Sequence, residues 1–244
     1  MTDTTTNAAT DMTADMASDI AADMNTDTAT GPGVRNGAET ADSAGLPVVG
    51  YTVVLPPGWV RIGLRDPRET DAGVKHALDT AFAGYGRDQV AQIRREAEQD
   101  LREQIAAAKQ ADGLDLYLPV SMTRTMMVPA SFVVSEGRFD TQEEVDAKEM
   151  VLSLAASTPE AEVAAVDGSI AIRVRKVVAG IEGKAPDSTR VEYIIAVPQD
   201  PKRWLVAGFS TLGTDELADL LADLFDAIMS TFYWRRGPRA EGSP

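Results

Sequence analysis

The chain has 244 residues, 38 of them acidic and 23 basic, for a formal net charge of −15. That balance repels nucleic-acid phosphates at long range, and the absence of cysteine removes disulfides, thiolate metal sites and thiol nucleophiles. No apolar run reaches the roughly 18 residues of a membrane-spanning helix, and the N-terminus lacks the basic and apolar regions of a secretory signal. The expectation is a cytoplasmic protein with no membrane span and no nucleic-acid partner.

Residues 1–45 are dominated by Thr, Asp and Ala and hold eight acids against Arg35, a net of −7 that leaves −8 for the remainder. Such a composition buries too little apolar surface to offset chain entropy, so it reads as a disordered acidic leader. Within it Asp11-Met12, Asp15-Met16, Asp19-Ile20 and Asp23-Met24 recur at four-residue steps. On a helix this sets an apolar row beside a row of aspartates. Two readings stand: a Met-bearing docking segment that folds on a partner, and a solvated low-complexity tail, since like charges at that spacing oppose an isolated helix.

Order is expected from Leu46. Val48–Leu55 is rich in β-branched residues and reads as a strand, Pro56-Pro57-Gly58 as a turn, and Trp59–Leu64 as a further strand or its continuation, with Trp59 a core anchor. Asp66-Pro67 opens a helical region that runs to Gly113 with a break at Gly84-Tyr85-Gly86. In its second piece Val90, Ile93, Ala97, Leu101, Ile105 and Ala108 share one side. Arg94, Glu98 and Arg102 stack on the other as an ion-pair ladder. This amphipathic hairpin is a solvated face and also a place for a partner helix to dock.

Leu114, Leu116, Leu118 and Val120 alternate with Asp115, Tyr117 and Pro119, a strand with one buried face. Met126–Val134 gives another, in which Pro129 suggests an edge position or a bulge. Thr141-Gln142-Glu143-Glu144 is a capping box for a helix reaching about Ala156. Glu162–Val166 and Ser169–Val178 flank Asp167-Gly168, the chemistry of a tight hairpin turn. Arg173 and Arg175 share one face of the second arm, where they either hold an anion or form a solvated sheet face.

Arg190–Pro198 and Trp204–Ser210 are apolar on both faces and are joined by Gln199-Asp200-Pro201-Lys202, so they read as a central antiparallel hairpin covered on both sides. Thr214 then offers an N-cap, with Asp215 and Glu216 in the first turn. Leu217, Leu220, Leu221, Leu224, Phe225, Ile228, Met229 and Phe232 follow the three-then-four spacing of one buried stripe. The predicted helix continues to Trp234, with Arg235 and Arg236 at its negative end and Gly237-Pro238 as its stop.

Motifs that carry chemistry are scarce. His76 is the single histidine and cannot build a multi-histidine metal site. Gly208-Phe209-Ser210-Thr211-Leu212-Gly213 sets a serine between strand and helix, but its glycine falls three residues after the serine instead of two, and no histidine follows. Gly180-Ile181-Glu182-Gly183-Lys184 departs from a phosphate loop, because Ala185 stands where a hydroxyl should meet magnesium. No catalytic residue, cofactor or metal is therefore expected.

The entry Leu55-Pro56-Pro57-Gly58-Trp59, the successive antiparallel strands through Val163–Ser210, and the acidic closing helix ending in Ser230-Thr231-Phe232-Tyr233-Trp234 together resemble the Mog1/PsbP-like group of α/β/α sandwiches. The resemblance implies an α+β fold with a central, mostly antiparallel sheet between helices. It also implies mostly non-catalytic roles: binding a GTPase, assisting an assembly, or serving as an actinobacterial cell-envelope lipoprotein. The chain departs from the group in inserting the helical hairpin 67–112 after the first strands and in lacking a lipid-anchoring cysteine.

The expected organisation is a leader over 1–45, one α+β domain over 46–236 and a flexible tail over 237–244. The expected function is a non-catalytic cytoplasmic protein-binding adaptor or chaperone-like accessory factor, for a secretion or assembly system. One alternative is a small-ligand-binding protein or enzyme whose site lies on the sheet face, built from Asp115, Tyr117, Arg173 and Arg175. Another is a structural subunit of a homo-oligomer.

Overall fold

Alternation, caps and turns divide the chain in order. The first half holds β1 (Val48–Thr52), β2 (Trp59–Gly63), α1 (Pro67–Ala81), α2 (Arg87–Gln110), β3 (Gly113–Pro119) and β4 (Ala130–Arg138). The second half holds α3 (Ala147–Ser157), β5 (Ala161–Val166), β6 (Ser169–Val178), β7 (Ser188–Ala196), β8 (Arg203–Leu212), α4 (Glu216–Ser230) and β9 (Tyr233–Arg236). This computed structural model describes residues 46–120, 129–138, 146–180 and 186–238. The Asp–Met repeat of the leader, the Thr141–Glu144 capping box and the 181–185 part of the glycine loop lie outside the described residues.

Seven strands form one antiparallel sheet in the order β2-β3-β4-β8-β7-β6-β5, and β1 pairs separately with β9. The β7–β8 hairpin is central, as its two apolar faces require. On the front face α4 packs over it, with Phe225 only 1% exposed. The Phe225 ring lies 5.3 Å from Phe132, 5.1 Å from Phe209 and 5.8 Å from Tyr193, centroid to centroid. On the back, α1 and α2 cover the β2–β3–β4 end through Val74, Leu78, Leu101 and Ile105 against Ile62 and Leu116. Met150 and Val151 of α3 cover the other end, against Ile172, Ile194 and Trp204. The result is the α/β/α sandwich read from the sequence. No helix among the described residues is long and apolar enough to cross a membrane.

Local chemistry explains the joints. Asp167 and Gly168 both take positive φ, 44° and 74°, which is what a two-residue hairpin turn matching strand twist demands. Gly113 is fixed by crowding, since a Cβ there would lie 2.5 Å from the Ala108 carbonyl oxygen. The α1–α2 break falls at the predicted glycines, and the ladder of α2 also reaches across the hairpin: Arg94 pairs with Asp79 at 2.8 Å, and Arg102 with both Asp71 at 3.0 Å and Glu98 at 3.1 Å.

Several expectations are corrected. α4 stops at Ser230, and Tyr233–Arg236 is a strand, because Phe232 and Trp234 bury at two-residue spacing while the backbone pairs with β1. Its N-cap is Asp215, whose carboxylate accepts from the Ala218 amide, and not Thr214. The stripe is rotated: Ala218, Leu221, Ala222, Phe225, Ile228 and Met229 are buried, whereas Leu217 and Leu220 stand outside. Ile93 on α2 is likewise exposed.

β4 is interior, between β3 and β8, because Pro129 precedes the strand and removes no ladder bond from it. β3 is buried on both faces, including Asp115 and Tyr117. α3 is capped by Asp146, which accepts from the Lys148 amide.

Candidate functional site

Asp115 and Tyr117 alternate along β3, which places both on the front face of the sheet. On β2, Gly63 stands opposite Asp115 and Arg61 opposite Tyr117, so the Arg61 side chain and the Asp115 carboxylate share the front face. Arg61 donates from Nε to Asp115 Oδ1 at 2.7 Å and brings Nη2 to the same oxygen at 2.6 Å. The other oxygen, Oδ2, accepts from the hydroxyl of Tyr51, which arrives on β1. The Tyr51 and Tyr117 hydroxyls are 3.1 Å apart. Tyr117 stacks on Phe132 at 4.2 Å, and Tyr51 stacks on Phe232 at 5.4 Å.

Burial pushes both phenols far above their ordinary range, and the neighbouring Asp115 charge pushes further in the same direction. They therefore stay protonated and act as donors. Burial alone would lower the Arg61 guanidinium, but its hydrogen bond to Asp115 and that carboxylate's charge outweigh the effect and raise it. The cluster is a lock that holds β1 against β2 and β3.

The second pair, Arg173 and Arg175, alternates along β6 on the same front face. Arg173 grips Asp226 of α4 with two parallel bonds, Nε to Oδ1 at 3.0 Å and Nη2 to Oδ2 at 2.7 Å. Tyr193 of β7 donates to Asp226 Oδ1 at 2.9 Å. Glu162 of β5 approaches Arg173 at 3.7 Å, and Arg175 pairs with Asp219, two helical turns before Asp226. The hydrogen bond to Asp226 raises the Arg173 guanidinium; burial, then Asp226, raises the Tyr193 phenol. The arginine pair expected to face solvent or hold an anion is thus engaged by carboxylates of the overlying helix.

Asp115 and Tyr117 share a face with Arg173 and Arg175 but do not meet them. Strands β4, β8 and β7 intervene, four strand spacings or about 19 Å, and α4 crosses the face between the two pairs. Of the residues singled out for other chemistry, His76 is exposed on α1 and Ser210 is half-buried on β8. Among the described residues, no group of three or more His, Asp or Glu is placed to hold a metal ion.

Two features were not foreseen. The outer flank of α4 carries Leu217 at 38% and Leu220 at 60% exposure, with the half-buried Leu224 one turn on. At the turn end of the sheet, an open cleft of about 690 Å³ runs between Asp146, Gly168, Ile170, Pro198, Gln199 and Arg236. One wall of the cleft is pinned by Trp234, whose amide donates to Asp167 Oδ2 at 2.7 Å and whose Nε1 donates to Ser169 Oγ at 2.9 Å. The leucine flank lies one residue ahead of the buried stripe, Leu217, Leu220 and Leu224 before Ala218, Leu221 and Phe225; nothing in the sequence marks the cleft, which needs β9 to exist.

Solved structures that resemble this chain include two of Mog1. The Saccharomyces cerevisiae Ran-binding protein Mog1p matches with a TM-score of 0.36 at 13% identity, over 80% of this chain and 93% of that one. A point mutant of protein Mog1 matches with a TM-score of 0.35 at 14% identity, over 75% of this chain and 90% of that one. The likeness is weak and lies in the fold alone. No protein-family model and no curated protein matches the chain.

Proposed function

We propose that this chain is a non-catalytic protein-binding module, an adaptor or chaperone-like accessory factor working in the cytoplasm for an assembly or secretion system, with residues 46–236 as its folded unit. Its partner docks on the outer flank of α4, against Leu217, Leu220 and Leu224. The observation that carries this reading is that flank: a helix fastened to the sheet by its aspartates still presents leucines to water at a spacing that fits an apolar partner surface. Glu216 and Asp223 beside them are exposed, and no basic residue lies within α4, so the fitting partner is an apolar segment with basic flanks. In this reading Asp115, Tyr117, Arg173 and Arg175 hold the docking surface in place and do not touch the partner.

A photo-crosslinking residue placed at position 220 in the native cell tests it, with position 93 on α2 as the exposed control. One discrete protein adduct from position 220, lost on Leu217→Asp and absent from position 93, is the expected result. Adducts equally abundant from both positions, or none from position 220, would remove the assignment.

A further inference from the structure

β5 closes one side of the sheet and pairs only with β6 among the described residues. The two-residue turn makes Val166 and Ser169 a hydrogen-bonded pair. By alternation Ala164 and Glu162 also bond to β6, while the N–H and C=O groups of Val163 and Ala165 point outward. Ala161 is the exception at the start of the strand, its amide donating to the Thr158 carbonyl at 3.0 Å. The strand, Ala-Glu-Val-Ala-Ala-Val, contains no proline and no lysine, and its register with β6 is unbroken by a bulge. Of the devices by which an edge is normally blunted, this strand carries a single charge, Glu162, and neither proline, lysine nor bulge. Val163 is 51% exposed, on the back face.

The front side of this edge has a definite charge. Glu162 points there, its side chain 74% exposed. Above β6 stands the flank of α4 that bears Asp219, Asp223 and Asp226, three acids at four- and three-residue spacing. Asp219 and Asp226 answer Arg175 and Arg173, while Asp223 is exposed and has no hydrogen-bond or ion-pair partner among the described residues.

The geometry points to β5 as a docking edge: its outer side accepts an extended, basic segment of a partner protein as an eighth antiparallel or parallel strand. Residues of that segment opposite Glu162 and Ala164 face front, where lysine or arginine side chains meet Glu162 and reach toward Asp223. Residues opposite Val163 and Ala165 face back and are small or branched and apolar. The fitting segment therefore alternates apolar and basic residues. A second copy of this chain fits badly. Each copy carries −15, and antiparallel self-pairing centred on Ala164 would set Glu160 of one copy next to Asp167 of the other. The leader, with a net of −7, is excluded by the same repulsion.

The probe is a fluorescently labelled heptapeptide of alternating valine and lysine, titrated into the full chain and followed by anisotropy. Binding is expected, weakening as salt rises. A peptide with glutamate for lysine, or one with alternate backbone amides N-methylated, should bind at least about tenfold more weakly. Val163→Pro removes one outward amide without touching the β6 ladder, and Val163→Lys adds a repelling charge at the edge while leaving the backbone free to fold. Both should weaken the valine–lysine peptide about tenfold. Equal affinity for the methylated and unmethylated peptides, or for Val163→Lys and the parent chain, would show nonspecific cation binding and overturn the proposal. So would light scattering that finds a dimer dispersed by Val163→Lys, which would give the edge to a second copy.

Discussion

The two borders of the seven-stranded sheet are built in opposite ways. β2 is five residues long, follows Pro56-Pro57, and has its Arg61 held by Asp115 at 2.6 Å and approached by Glu69 at 3.5 Å. The carbonyl of Gly63 at its end accepts from the Thr70 hydroxyl at 2.8 Å. Shortness, a neighbouring proline pair and a bound charge all discourage a further strand there. β5 is six residues long and is also preceded by a proline, Pro159. Its charged residue, Glu162, however, keeps a side chain 74% exposed with Arg173 no nearer than 3.7 Å, and Val163 and Ala165 turn their backbone groups outward. The β2 border is fastened by groups drawn from β1, β3 and α1, so it is expensive to disturb. Beyond its pairing with β6, the β5 border is held by apolar packing, Ala161 against α3 on the back and Val166 in the front core, and among the described residues no hydrogen bond from another strand or helix reaches its outer side.

The largest test of this contrast removes the fastener. Asp115→Ala leaves Arg61 without its main partner and two buried phenols without their acceptor, so a loss of about 3 kcal/mol in urea unfolding is expected. Faster amide exchange should accompany it in β1 and β2 and not in β5 and β6. A uniform change across the sheet would mean that the lock is not local to that border.

A second fastener sits on the same side. Glu136 of β4 accepts from Arg203 of β8 at 2.8 Å and from Arg65, just after β2, at 2.6 Å. Burial alone would raise its carboxyl, but the hydrogen bonds and charges of Arg203 and Arg65 outweigh it and hold the group below its usual value. A depressed folded-state pKa contributes stability that is present above the unfolded value of 4.5 and is lost as pH falls through the folded one. Glu136→Gln should therefore cost about 1.5 kcal/mol at pH 7. The variant and parent should converge as pH falls below 4.5 and through the lower folded-state value. A difference that does not shrink at all across the acid limb would assign the loss to packing.

The smallest effect belongs to the open border. Val163→Lys should shift stability by no more than about 0.5 kcal/mol, since the side chain is half exposed and no partner is lost. A cost of several times that would mean that Val163 is buried by something in solution, and the contrast between the borders would fail.

The central hairpin, the Asp167-Gly168 turn and the α1–α2 break were legible because each depends on residues close in sequence. The closing strand was not. Phe232 fits the helical spacing from Met229 as well as it fits alternation with Trp234, and only pairing with β1 decides between them. That pairing joins residues more than 180 positions apart, such as Tyr51 and Trp234.

The same blindness affected the front-face polar residues. Asp115 looked solvated because its cover, Tyr51, lies 64 residues upstream. The two residue pairs looked compatible with one site because nothing in the sequence says that β4 lies beside β8, which inserts three strands between them. Shared face was readable from alternation; distance across the sheet was not.

The ribbon of β1 and β9 has a mechanical consequence. Val48 faces Arg236, and the Gly237 amide donates to the Pro47 carbonyl at 3.1 Å, so the flanking segments leave side by side from one end of the ribbon. Tension applied through both would part the ribbon like a zip, one rung after another, before any load reached the seven-stranded sheet.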